Sequence, residues 1–204
     1  MPDARQYWRF FAIATGLFFT VTLPLPGLSR LSRMCFQVEA RWVGETLFPN
    51  MAVAVEDYRD PGHAVIDTRV QVINRRRAWS DGTVPVTLVV LDSRSLGWMP
   101  EAMLIALIGA TPMRWTLRWK IFGTNTVIVQ FLIAATIAGT VGAAVYDGST
   151  GGWPPKIFAA LDTILTQNLW FSFLAPTLLW GASVTFVYRR VLHTVDAPAA
   201  RPQS

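Results

Sequence analysis

From Ser95 to Tyr146 the chain carries two apolar runs joined by the basic-aromatic stretch Arg114-Trp-Thr-Leu-Arg-Trp-Lys120. The second run starts at Ile121 and continues for about 25 residues without a formal charge, enough at ~1.5 Å per residue for a helix to cross a ~30 Å hydrocarbon layer. The first run has its best window from Leu96 to Met113, with Glu101 one turn in and Pro112 near its end. It spans only if Glu101 sits at the membrane interface or faces protein. The pattern predicts a helical hairpin in lipid, and every other segment must lie on one side of it or the other.

Composition agrees. The chain has 204 residues, 52% of them hydrophobic and only 15% charged, whereas soluble domains are charged at about a quarter of positions. The formal charge of +5 comes from arginine far more than lysine. The arginines flank apolar runs instead of forming one patch, which suits phospholipid headgroups and argues against nucleic acid. A single cysteine, Cys35, excludes an intrachain disulfide. With His63 and His193 as the only histidines, a His/Cys zinc site has no support and no cofactor is expected.

Ahead of the hairpin, Arg5 and Arg9 lead into an apolar run from Tyr7 to Leu28. It is long for an export signal, and no pair of small residues follows Pro24-Leu-Pro26 at cleavage spacing, so we read a retained helix over 1–28. Beyond it Leu28, Leu31, Cys35, Val38 and Trp42 recur at helical spacing, with Arg30, Arg33, Gln37 and Arg41 on the opposite side. Such a helix either enters the acyl boundary while its arginines reach phosphates, or packs its stripe on a neighbouring domain. Cys35 belongs to that stripe and reads as a packing residue.

Residues 50–92 are the only part with soluble-domain character. Val70 and Val72 alternate with Arg69 and Gln71, and Val84, Val86, Leu88 and Val90 alternate with Pro85, Thr87 and Val89. Ser80-Asp-Gly82 between them is turn chemistry, and Pro85 assigns the later strand to an edge. A lone hairpin is marginal, so a third strand at Met51 to Val55, or cover from the amphipathic helix, is expected. The run Arg75-Arg-Arg77 before Trp79 reads as a solvated or lipid-contacting loop.

After the hinge, Ala135, Gly139 and Ala143 lie four apart, with Ala138 and Gly142 beside them, a small-residue spacing that lets helix backbones approach closely in lipid. Packing within the chain is the favoured use. Asn125 and Gln130 are polar residues in the same run and are expected to bond across helices. Asp147-Gly-Ser-Thr-Gly-Gly152 lacks the strand and Lys-Ser/Thr signature of a phosphate cradle. Trp153-Pro-Pro155 opens a short amphipathic segment to about Leu165. A last span covers about Leu169 to Tyr188, kinked at Pro176 with a packing notch at Trp180-Gly181, and a Pro/Ala-rich tail is expected to be disordered.

The expected fold is therefore mainly α, a polytopic membrane protein of about four transmembrane helices with a small extramembrane α and β-hairpin segment between the first two. Residues 1–28 form the first span, 29–94 an outer segment, 95–190 a three-helix region and 191–204 a cytoplasmic tail. Short-loop charge sets the sides: Arg114, Arg118 and Lys120 in the hinge, Arg5 and Arg9, and Arg189 and Arg190 put both termini in the cytoplasm of a bacterial inner membrane. Arg30, Arg33, Arg41, Arg114, Arg118 and Lys120 are the candidate headgroup contacts. Glu101, Asn125 and Gln130 are the candidate intramembrane polar groups; Glu101 follows Pro100 in the first helical turn, where the helix dipole favours an acid.

Several strings resemble the exosortase-associated integral membrane proteins of Gram-negative bacteria, in particular the small four-span proteins encoded with exosortase H. They are Asp92-Ser-Arg-Ser-Leu-Gly-Trp-Met-Pro-Glu101, Ala106-Leu-Ile-Gly-Ala-Thr-Pro-Met-Arg-Trp115, Val129-Gln130, and Trp170-Phe-Ser-Phe-Leu-Ala-Pro-Thr-Leu-Leu-Trp180. Asp92-Ser-Arg-Ser stands where those proteins often carry Asn-Pro. The resemblance implies an exosortase-type membrane partner, an accessory role in sorting surface proteins, and no catalytic residues. Two other classes remain open: a transporter or channel subunit signalled by Glu101, Asn125 and Gln130, and an embedded thiol transpeptidase or protease using Cys35, His63 and an arginine. The last needs a convergence of nucleophile, base and orienter that the spacing does not provide.

Overall fold

Met99-Pro-Glu101 starts the helix around which the others gather. Its first residues continue from a turn that already has helical backbone angles, so Pro100 falls inside a continuous helical run and Glu101 lies beyond the free N–H end at which the sequence placed it. This helix, α3 (Met99–Ala110), buries Ala102, Leu104, Ala106, Leu107 and Ile108. In a computed structural model of the chain, which describes residues 4–23, 26–58, 67–73, 85–146, 154–165 and 170–195, it packs against α1 (Ala4–Thr22), α4 (Trp115–Val145) and α6 (Trp170–Val195). The architecture is mainly helical with one small antiparallel sheet. The expected turn Ser80-Asp-Gly82, the loops Arg75–Arg77 and Asp147–Gly152, and the C-terminal tail lie outside the described residues.

The first expected span ends early, α1 stopping at Thr22 and the next helix starting at Pro26. Below α3 in sequence, a single π turn (Arg94–Trp98) leads into it. From this turn Arg94 Nη2 donates to the Thr22 carbonyl at 3.0 Å and Trp98 Nε1 to that of Val21 at 3.2 Å. These carbonyls end α1 and lack helical partners, so the contacts cap the helix. At the other end of α3, Trp180 Nε1 donates to Thr111 Oγ1 at 2.8 Å, and its ring stacks on Phe10 at 5.3 Å. Phe18 meets Phe173. Helices α1 and α6 thus run antiparallel, as do α3 and α4, where Arg118 lies beside Thr111 and Gln130 beside Glu101.

The hinge is shorter than expected. Only Thr111 to Arg114 turns; Trp115 to Lys120 form the first turns of α4, which reaches 31 residues. It is the one helix among the described residues that alone is long and apolar enough to cross a membrane. Its small residues receive α5 (Pro154–Leu165) of the same chain. A Cβ at Gly139 would lie 2.9 Å from Leu161 Cβ, and one at Gly142 only 2.3 Å from the Phe158 ring. Ala135 and Ala143 are half-buried beside them, and Thr140 Oγ1 donates to Asp162 at 2.9 Å. At the expected notch, no atom of the described residues lies within 4 Å of a Cβ built at Gly181, so the fold leaves it unfilled there. Pro176 is buried inside α6.

Strands β1 (Ala52–Asp57), β2 (Thr68–Ile73) and β3 (Val86–Leu91) pair antiparallel in sequence order, so β3 is an edge strand and Pro85 precedes it. The register opposes Val70 to Val89 and Val55, and Thr68 to Leu91. Opposed residues share a face, so Val89 and Leu91 turn inward with Val70 and Val72 while Val86, Leu88 and Val90 face out. The alternation in β3 therefore marks its outer set, a result decided by β2, whose polar residues fix which side is the core.

Helix α2 (Pro26–Leu47) covers the inner face. It does so through Phe36, Ala40 and Val43, with Gly44 so close to β1 that a Cβ there would meet Val53 Cγ1 at 2.7 Å. This corrects the expected packing of Cys35: the contact face is turned by more than a third of the way around the helix, toward the small residues Ala40 and Gly44 that permit close approach, and Cys35 is left exposed. The stripe Leu31, Met34, Val38 and Trp42 stays uncovered, with Val38 69% and Trp42 64% exposed.

Candidate functional site

On α2, Ser32, Cys35, Phe36 and Glu39 follow spacings of three and four and so share one side, next to the exposed stripe. Opposite them stand Gly97 and Trp98 of the π turn, Glu101 of α3, and Gln130 and Ile133 of α4; together they line a cleft of about 230 Å³. Single π turns in a helical run often occur at functional sites. Here the wider turn sets Trp98 against the end of α1 while Gly97 meets the ring of Phe36.

The cleft's polar groups form one cluster. Gln130 Nε2 donates to Glu101 Oε1 across α3 and α4. Glu39 approaches from α2. Burial first, and then the charge of Glu101, push the Glu39 carboxyl from its ordinary 4.5 up to about 7. A carboxyl raised this far keeps its proton at pH values where an exposed acid has lost it.

Of the sequence-expected polar residues, Glu101 and Gln130 are brought together and Asn125 is not. Asn125 is 1% exposed and faces α6, where Ser183 Oγ donates to its Oδ1 at 3.0 Å while its Nδ2 finds no acceptor among the described residues. The three do not line one path. Cys35 borders the cleft, but the thiol-enzyme constellation cannot be assembled from the described residues, because His63 lies outside them. No group of three His, Cys, Asp or Glu among the described residues is placed to share a metal ion.

The expected headgroup cations fall into two sets. Arg30 is exposed beside the α2 stripe; Arg41 pairs with Glu45 at 3.4 Å, and Arg33 lies 3.7 Å from Asp57 of β1, which also accepts from Gln37. At the start of α4, Arg114 and Lys120 are exposed, while Arg118 Nη2 donates to the Thr111 carbonyl at 2.9 Å. Glu39 and Trp98 are the residues sequence reading missed. Glu39 carries a faint signal, an acid four residues from Cys35 on the side away from the arginines. Trp98 carries none, since its place depends on the π turn.

Comparison with protein-family models, with curated proteins and with solved structures finds no match to this chain.

Proposed function

We propose that this chain is a non-catalytic accessory protein of the bacterial inner membrane that crosses the bilayer four times, through α1, α3 with its π turn, α4 and α6, and docks a membrane protein partner. Both termini and the start of α4 face the cytoplasm, and the α2–sheet segment lies outside. The alternately antiparallel helices support this reading. So does the contact of Phe48, just after α2, with Tyr146 at the end of α4 remote from Arg114 and Lys120. The surface is also too apolar for water, with Phe131 of α4 73% exposed and Phe11 and Phe19 of α1 uncovered.

One observation carries the docking role. Helix α2 has its opposite side buried by β1 and α4 yet keeps Leu31, Met34, Val38 and Trp42 bare, a row long enough to receive a partner helix. The cleft that holds Glu39 and Glu101 meets this row at Leu31, so a helix lying there passes its edge. The resemblance of the strings around Glu101, Gln130 and Trp180 supports an exosortase-type partner and a role in sorting surface proteins. A photo-crosslinking amino acid at position 38 or 42, activated in intact membranes, should trap one membrane protein reproducibly. Adducts with lipid alone from both positions would remove the docking role.

A further inference from the structure

A further exposed apolar feature lies near the start of α4. Between α3 and α4 an open groove of about 270 Å³ is walled by Ile105 and Ile108 on one side and by Trp115, Trp119 and Phe122 on the other, with Arg118 among its lining residues. Trp115 and Trp119 pack edge to face and both remain largely exposed. Indole rings in this setting belong at the level of lipid headgroups, where one end meets hydrocarbon and the other water.

Charge complementarity names the occupant. Arg114, Arg118 and Lys120 lie within two turns of helix, and no Asp or Glu occurs in sequence between Glu101 and Asp147. No ion pair among the described residues engages any of the three. Arg118 spends Nη2 on the Thr111 carbonyl and sets its guanidinium 5.5 Å from the Trp115 ring centre, but its Nε is buried without an acceptor among the described residues. The buried Nε is out of reach of a ligand, but no acid among the described residues balances the guanidinium's charge, and such a group is best neutralised by a phosphate or carboxylate. The groove beside it is almost purely apolar, as a site for hydrocarbon must be.

We infer that this groove holds one anionic phospholipid, its acyl chain between α3 and α4 and its phosphate at Arg118, flanked by Arg114 and Lys120. The inference rests on the four-span reading and deepens it: a particular lipid is held at the cytoplasmic end of the hairpin, clamping Trp115 and Trp119 where α4 begins.

The test is native mass spectrometry of the full chain released from vesicles of phosphatidylglycerol and phosphatidylcholine in equal parts. The wild-type chain should retain one phosphatidylglycerol, and Arg118→Gln should lower that retention roughly tenfold through loss of a charge-assisted contact. Ile105→Trp, which fills the groove without touching the cations, should reduce it as well, and Lys156→Gln, on α5, should not. Equal retention of both lipids, or undiminished retention in both groove variants, overturns the inference while vesicle flotation of the chain leaves the membrane reading standing. A chain that fails to float with vesicles overturns both. A peptide or protein adduct retained in place of lipid also overturns it.

Discussion

Glu39 and Glu101 face each other across a cleft that only one of them advertised. Glu101 and Gln130 were legible because a charge or an amide in an apolar run is conspicuous. An acid in an amphipathic helix is ordinary, and what sets Glu39 apart is the α4 surface packed near it, which no local pattern encodes. The raised Glu39 carboxyl has a consequence for pH. Its folded-state value near 7 lies above the ordinary 4.5, so the fold binds this proton more tightly than the unfolded chain. Its contribution is fully present below pH 4.5 and is lost as pH rises through 7. Thermal unfolding in detergent should therefore show a lower midpoint at pH 7.5 than at pH 5, and Glu39→Gln should flatten that difference. Glu101→Gln removes the second cause and leaves burial, so the fall should persist but shift to lower pH. A wild-type midpoint unchanged between pH 5 and 7.5 would count against a buried Glu39.

Among the elements, most helices were legible from the length of their apolar runs, α2 from its period and the sheet from its alternation, but the direction in which each faced was not. In β3 the run of Val and Leu is apolar on both sides, so its inner face is fixed by β2, where Arg69 and Gln71 exclude one side. In α2 the longest apolar stripe is the bare one, because close packing selected Ala40 and Gly44 over the larger residues. The same rule separates two glycines that look alike in sequence. Gly142 meets the Phe158 ring and Gly181 meets nothing. Gly142→Ala should destabilise the α4–α5 contact by about 1–3 kcal/mol, the usual cost of forcing a methyl into a filled site. Gly181→Ala should be neutral or gain about 0.5–1 kcal/mol from helix propensity. Paired melting curves of the two variants in detergent check this, and equal losses in both would argue against the α5 contact.

At the scale of the whole molecule, the proposed topology joins a parity argument from the sequence to the separation of two ends along α4 in the fold. In the proposed topology, charge in short loops puts the start of α4 in the cytoplasm, and an even number of crossings would then send the segment between the first two outward. In the fold, α4 extends for ~46 Å at 1.5 Å per residue, more than the ~30 Å hydrocarbon layer. Phe48 sits beside its far end, at Tyr146, and Arg118 packs beside Thr111 at its near end. Arginine in the outer segment obscured this in sequence; Arg33 and Arg41 are in fact engaged with Asp57 and Glu45, so they count less toward the cytoplasmic bias than a tally of residues implies. The two ends are separable by a membrane-impermeant thiol reagent. In a Cys35→Ser background, Leu88→Cys on the outer face of β3 should react in intact spheroplasts, and Trp115→Cys only after the membrane is opened. Both positions are well exposed in the fold, so failure to react reports the bilayer and not burial. Labelling of both in intact spheroplasts would place the ends of α4 on one side, and with that the four-span topology, the outward α2 stripe and the cytoplasmic lipid groove would all fall together.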